Sequence, residues 1–400
     1  MKSMTIAPLH EARINVLEVI GNSGRGGMEN YIKSFIENLP ADQFRVTCVC
    51  PYESQFTSAL RDIGVEDVYI TPVEDDPMWR SIQLVSEVAR LHKIDVLHAH
   101  MPKAHALAGI AGCLVHKPIV ATVHGMNVTS HELGITRAVN SHLITNCQEA
   151  YTQALAMGVD ANKVDLIRNG VDVDLFTAGN SSLEFKRAIN VPDGVPLIGF
   201  VGRLDNEKGP DMFVRMADFV HRERPDAHFV MVGDGNMRNQ LKEMSAHMHL
   251  DDHLHFAGWW KTPVEVYRSL DVLAHTSRSD GTSMVLLEAM ACGCATVGLA
   301  VGGVREIIES MHTGLIAGAG DWEGIAAKVL QLLEEPEPLR NMRIAARARV
   351  EQHFNLSANT GAAAQVLTRV AMDQNFQQSA THTAVSSGAI GRAAIETITN

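Results

Sequence analysis

The stretch HTSRSDGTSMVLLEAMACGCATV, residues 275–297, reads as the end of a strand, a polar turn carrying Asp280 and Gly281, a helix stopped by Gly293, and a second apolar run. Strand, turn, helix and a further β-branched run form the repeating unit of a parallel α/β sheet. Thr282 or Ser283 can cap the helix, whose first amides then make a site for an anion. Glu288 falls inside the apolar segment VLLEAMA, where a buried carboxylate is costly unless hydrogen-bond donors meet it. It follows Asp280 by eight positions, about 12 Å if the path is wholly helical. A carboxylate at each end of a phosphate-binding helix start suits a ligand with hydroxyls at both ends and phosphates between, as in a nucleotide sugar. The competing reading is a structural bridge from Glu288 to a nearby arginine such as Arg305.

The alternation continues in both directions. INVLEVI (14–20), RVTCVC (45–50), DVLHAH (95–100), PIVATVH (118–124) and HLITNC (142–147) are strand-like and apolar on both faces. The pattern restarts with PLIGFVGRL (196–204), HFVMVGDG (228–235), LHFAGW (254–259), DVLAHTS (271–277) and ATVGLA (295–300). Buried parallel strands of this kind predict an α/β chain of two Rossmann-like doubly wound domains, 1–176 and 185–353. Residues 374–400, rich in Ser, Thr, Gln and Ala, are expected to form a disordered tail.

Two loops stand where open α/β sheets bind ligands. GNSGRGGMEN (21–30) packs four glycines between a strand and a helix, yet Gly27 occupies the place of the P-loop lysine and Ser23 the second glycine of the dinucleotide fingerprint. What remains is a glycine-rich turn whose amides can face an anion. GFVGRLDNEKGPD (199–211) sets Arg203 and Lys208 at and just beyond a strand's carboxyl end, a clamp for a diphosphate.

A net charge of −12 and a pI of about 5.9 argue against a nucleic-acid partner. LAGIAGCLV (107–115) is too short to span a bilayer, and the first residues do not read as a signal peptide, so a cytoplasmic protein is expected. The six cysteines lack C-x-x-C spacing and read as buried thiols. VDVD (171–174) and HMHLDDHLH (247–255) have metal-like spacings, but they lie at a domain exit and across a helix-to-strand junction, so no metal is expected.

Together GGMEN (26–30), TVHG (122–125), LIRNGVDVDLF (166–176), VGRLDNEKG (201–209), VGDG (232–235), FAGW (256–259), DGTSMVLLEAMACG (280–293) and GGVRE (302–306) resemble the retaining glycosyltransferases of family 4. That resemblance implies the GT-B fold, two domains facing a cleft, with a last helix near 357–372 crossing back to the first domain. It also implies that Arg203 and Lys208 hold the donor diphosphate and that Glu288 binds the ribose hydroxyls. Gly281, Thr282, Ser283 and Met284 would contact the sugar or distal phosphate through their amides. Gly26 and Gly27 would approach the diphosphate from the opposite domain, and His124 would sit beside the donor sugar. The loops holding Gly233 and Gly258 would support the base. Asp280, His124, Arg203 and Lys208 are the expected catalytic set; His98, His100 and Glu29 are candidates for the acceptor side.

The implied activity is retaining transfer of a hexose or hexosamine from a nucleoside-diphosphate sugar, a UDP-sugar favoured, to a glycan or lipid-linked acceptor, with no cofactor. Work on polysaccharide or glycolipid would bring peripheral contact with the inner membrane face. Asp280 departs from the family, which usually has Glu there, and is one methylene shorter. The alternatives are a nucleotide-sugar epimerase on the same fold and a catalytically weak sugar-binding protein.

Overall fold

The computed structural model describes residues 13–24 and 26–373, so the expected tail lies outside the described residues. The N-terminal sheet comprises β1 (Ile14–Ile20), β2 (Phe44–Cys50), β3 (Val68–Ile70), β4 (Val96–His100), β5 (Ile119–Val123), β6 (His142–Thr145) and β7 (Val164–Leu166). Its order is β3-β2-β1-β4-β5-β6-β7, with every pairing parallel.

The second sheet comprises β8 (Leu197–Val201), β9 (His228–Val232), β10 (Leu254–Gly258), β11 (Val272–His275), β12 (Ala295–Leu299) and β13 (Leu315–Ala317). It is ordered β10-β9-β8-β11-β12-β13 and is also parallel. These are the two Rossmann-like domains of a GT-B fold.

In each sheet the order reverses once, between β1 and β4 and between β8 and β11. Ligand crevices open at the carboxyl ends of strands beside such reversals. The glycine loop follows β1, the loop of Arg203 and Lys208 follows β8, and the turn of Asp280 follows β11.

Both faces of the N-terminal sheet are covered. Leu17, Val19, Leu97 and Ala121 pack into one apolar layer, while Val16, Ile20, Val96 and Val120 pack into another. The second layer is completed by Leu356, Ala363, Val366 and Leu367 from the helix Leu356–Met372, which leaves the C-terminal domain and returns to the first. Val171 anchors that crossing, donating to the Phe354 carbonyl (2.8 Å) and accepting from the Leu356 amide (3.0 Å).

Candidate active site

The turn after β11 and the helix Met284–Ala291 form one wall of the crevice. Ser283 occupies the N-cap position, but neither expected hydroxyl caps the helix: Thr282 Oγ1 donates to the Asn146 carbonyl, and Ser283 Oγ lies 3.1 Å from His275 Nε2. Among the described residues no acceptor meets the amides of Thr282, Ser283 and Met284, so the positive helix end remains available to an anion.

Across the crevice the helix Gly27–Asn38 begins at Gly26, also without a side-chain cap. A Cβ on Gly27 would lie 3.8 Å from Met284 Cβ, so two helix starts face each other. The domains meet again at Gly281, where a Cβ would fall 2.6 Å from the His124 carbonyl oxygen, too close for any side chain.

The expected cations stand at this crevice, each paired with acids. Arg203 bonds Asp205 (2.7 Å) and Glu207 (3.1 Å) of its own loop, and about half its side chain is exposed. Lys208 reaches Asp280 Oδ2 at 3.2 Å, and His275 Nε2 reaches the same oxygen at 3.0 Å. Burial pushes the Asp280 carboxyl up, but His275 and Lys208 outweigh it and hold the group at about 2.

Glu288 meets the Tyr267 hydroxyl at 2.6 Å, and the bridge to Arg305 is not formed. Burial drives its carboxyl up to about 7 against the lowering effect of that one bond. The Gly233 and Gly258 loops lie side by side, with Gly233 N donating to the Gly258 carbonyl (2.8 Å). Gly233 has φ +136°, and a Cβ there would lie 1.9 Å from the Gly202 carbonyl oxygen, so the close approach of the loop after β8 demands glycine.

The acceptor candidates are arranged differently from expectation. His98 and His100 are 2% and 0% exposed, because their strand register turns them inward beside Glu18, itself 0% exposed. His98 Nδ1 lies 3.1 Å from Glu18 Oε1, and His100 Nε2 lies 2.8 Å from Oε2. Glu29 is 4% exposed and accepts from Asn22 Nδ2 at 2.6 Å. None of the three presents an open face to an acceptor.

Only His124 continues outward: its Nε2 lies 2.9 Å from His100 Nδ1, and its half-buried ring packs edge-on to Tyr31. Its carbonyl accepts from Asn146 Nδ2 (3.0 Å). The ligating atoms of Glu18, His98 and His100 lie within 4.8 Å of one another, a spacing open to a metal. Each nitrogen already faces a carboxylate oxygen at hydrogen-bond length, so the cluster is complete as it stands. VDVD also has a local explanation, since Asp172 accepts from the Asp174 and Leu175 amides.

Sequence reasoning missed Tyr267, Asn146 and the interdomain lock at Glu306. Glu306 accepts from the Gln148 amide (2.6 Å) and pairs with Arg168 (2.7 Å). A lone acid inside the strand INVLEVI was the one available signal for Glu18.

The model for Glycosyltransferase Family 4 matches residues 25–175, and that for Glycosyl transferases group 1 matches 181–349. The chain is 27% identical over 283 residues to the N-acetyl-alpha-D-glucosaminyl L-malate synthase of Bacillus anthracis, covering 68% of this chain and 73% of that one. It is 24% identical to the UDP-Gal:alpha-D-GlcNAc-diphosphoundecaprenol alpha-1,3-galactosyltransferase of Escherichia coli, covering 89% and 95%. In fold it is similar to Anabaena HepE in complex with UDP-glucose, with a TM-score of 0.77 at 20% identity, across 89% of this chain and all of the other.

Proposed function

This chain belongs to glycosyltransferase family 4, and from that premise we propose that it moves a hexose or hexosamine from a nucleoside-diphosphate sugar to an acceptor hydroxyl with retention of configuration. A UDP-sugar is the favoured donor and a glycan or lipid-linked molecule the acceptor, in line with the printed activity of the Escherichia coli relative. The observation that carries the reading is the meeting of two uncapped helix starts across the crevice, with Lys208 tied to Asp280 just before one of them and Arg203 on the same loop as Lys208. This is a preorganised site for a diphosphate leaving group.

In this reading Arg203 and Lys208 exchange their acidic partners for the diphosphate, and the amides of Thr282, Ser283 and Met284 hold its distal end. Gly26 and Gly27 close the other side, and Glu288 takes the ribose hydroxyls. The bond from the anomeric carbon to the diphosphate oxygen breaks, and the acceptor oxygen joins the same face. The departing oxygen takes the acceptor proton, so neither a nucleophilic carboxylate nor a metal is required. A lipid-linked acceptor would bring the N-terminal domain to a membrane surface. No described helix is long and apolar enough to cross one.

A thermal-shift panel of UDP-, GDP- and ADP-sugars, followed by product analysis with the best binder, tests this directly. A UDP-sugar is expected to raise the melting temperature, and Glu288→Ala to weaken its binding roughly 10- to 100-fold, the loss of charged hydrogen bonds. No shift with any donor, or full binding by Glu288→Ala, overturns the assignment.

A further inference from the structure

A line of polar side chains runs from inside the N-terminal sheet to the cleft: Glu18, His100, then His124. An ionised carboxylate accepts and never donates, so Glu18 requires the proton of His100 on Nε2. A neutral His100 then has a bare Nδ1, which can only accept, so His124 must place its own proton on Nε2. No described residue bonds His124 Nδ1. We propose that Glu18 is a positioning residue which, through His100, fixes the His124 proton on Nε2 and reserves Nδ1 to accept a hydrogen bond from a hydroxyl of the bound sugar.

The reverse chain, with a protonated Glu18 donating to His100, would put a proton on His124 Nδ1. The surroundings oppose it. Glu18 receives two imidazole N–H groups, from His98 and His100, which hold its carboxyl down at about 2 despite its burial. His98 keeps its Nδ1–H toward Glu18 whether or not its Nε2, 2.8 Å from Thr122 Oγ1, is protonated. Burial and the neighbouring imidazoles push His100 and His124 downward, which keeps both neutral. The rings of Tyr31 and Phe35 pack edge-on against His124 and His98, and Cys48 stands opposite Glu18 on β2, its thiol pushed up by burial and so neutral.

The choice of tautomer selects chemistry. A bare imidazole nitrogen attracts a hydroxyl and repels a phosphate oxygen, so His124 belongs to the sugar end of the site. This step rests on the transfer reading above, whereas the proton positions do not.

Nitrogen NMR of the full chain labelled with 15N-histidine, with the His124 signals identified by their loss in His124→Asn, reads the tautomer without turnover. At pH 7 His100 and His124 should both be neutral and protonated on Nε2; a proton on Nδ1 of either overturns the proposal. In Glu18→Gln, kcat with the donor selected above should fall at least tenfold while UDP binds within twofold of wild type; unchanged kcat overturns the positioning role. Should the variant not fold, the wild-type spectrum still decides. Should the wild type transfer no sugar, the transfer reading fails while the proton assignment stands or falls on its own spectrum.

Discussion

Glu18 and Glu288 are glutamates set in apolar runs, one in each domain, the first fully buried and the second partly so, and burial pushes both carboxyls up. From there they diverge: Glu18, met by two imidazoles, ends at about 2, and Glu288, met by one phenol, ends at about 7. Each has moved by a similar amount from 4.5, in opposite directions. Partners decide the sign. Glu18 has donors on both oxygens and is committed to holding imidazoles in place, whereas Glu288 has one donor, as a group reserved for ligand hydroxyls would.

Removing the two side chains should separate the roles most sharply. Glu18→Ala strands two buried imidazoles, and breaking a buried pair by deleting one partner costs about 3–5 kcal/mol. Glu288→Gln keeps a partner for Tyr267 and removes a poorly solvated charge, so its stability should match or exceed wild type at pH 8. Urea unfolding of both variants measures this, and equal losses would remove the distinction between them.

The same contrast appears against pH. Glu18 has a folded pKa below its unfolded value of 4.5, so its contribution is complete above pH 4.5 and is lost as pH falls toward 2. Glu288 has a folded pKa above that value, so its contribution is complete below pH 4.5 and is lost as pH rises toward 7. Each amounts to about 3 kcal/mol. Histidines such as the buried His105 and the half-buried His255, pushed down to about 4, oppose the Glu288 trend in the same window. The informative quantity is therefore the difference between wild type and Glu288→Gln, which should move by about 3 kcal/mol between pH 4.5 and 7.5 and stay level above. A flat difference would mean that Glu288 is better solvated than its surroundings imply.

Much of this pair was half legible in the sequence. Glu288 announced itself as an acid among VLLEAMA, and its need for a hydroxyl donor followed from burial. That the donor is Tyr267, 21 residues earlier, depends on how two helices pack, which no local pattern encodes. Glu18 stood as openly in INVLEVI, but its partners lie 80 and 82 residues away and are delivered by the register of β1 against β4. Periodicity located His98 and His100 at a strand end without saying that they point into the sheet's covered face. Strand detection failed for a related reason at β3, β7 and β13: three residues each are too few to show a period.

Asp280 sharpens the comparison most finely, because it stands at the ligand end of the crevice yet titrates like Glu18. His275 and Lys208 share its Oδ2, and Ser283 Oγ also lies 3.1 Å from His275 Nε2, so the turn and the helix start are tied through one imidazole. Lengthening the side chain in Asp280→Glu moves the carboxylate about 1.5 Å, one carbon–carbon bond, along the direction in which the side chain points. The His275 bond is then lost or lengthened, at a cost of about 1 kcal/mol by urea unfolding. In return the carboxylate gains reach toward a donor sugar, and kcat/KM should rise severalfold or shift between donors differing at one sugar hydroxyl. If stability falls and donor preference stays fixed, Asp280 serves, like Glu18, to hold neighbouring side chains in place, and sugar recognition lies with the helix amides and His124.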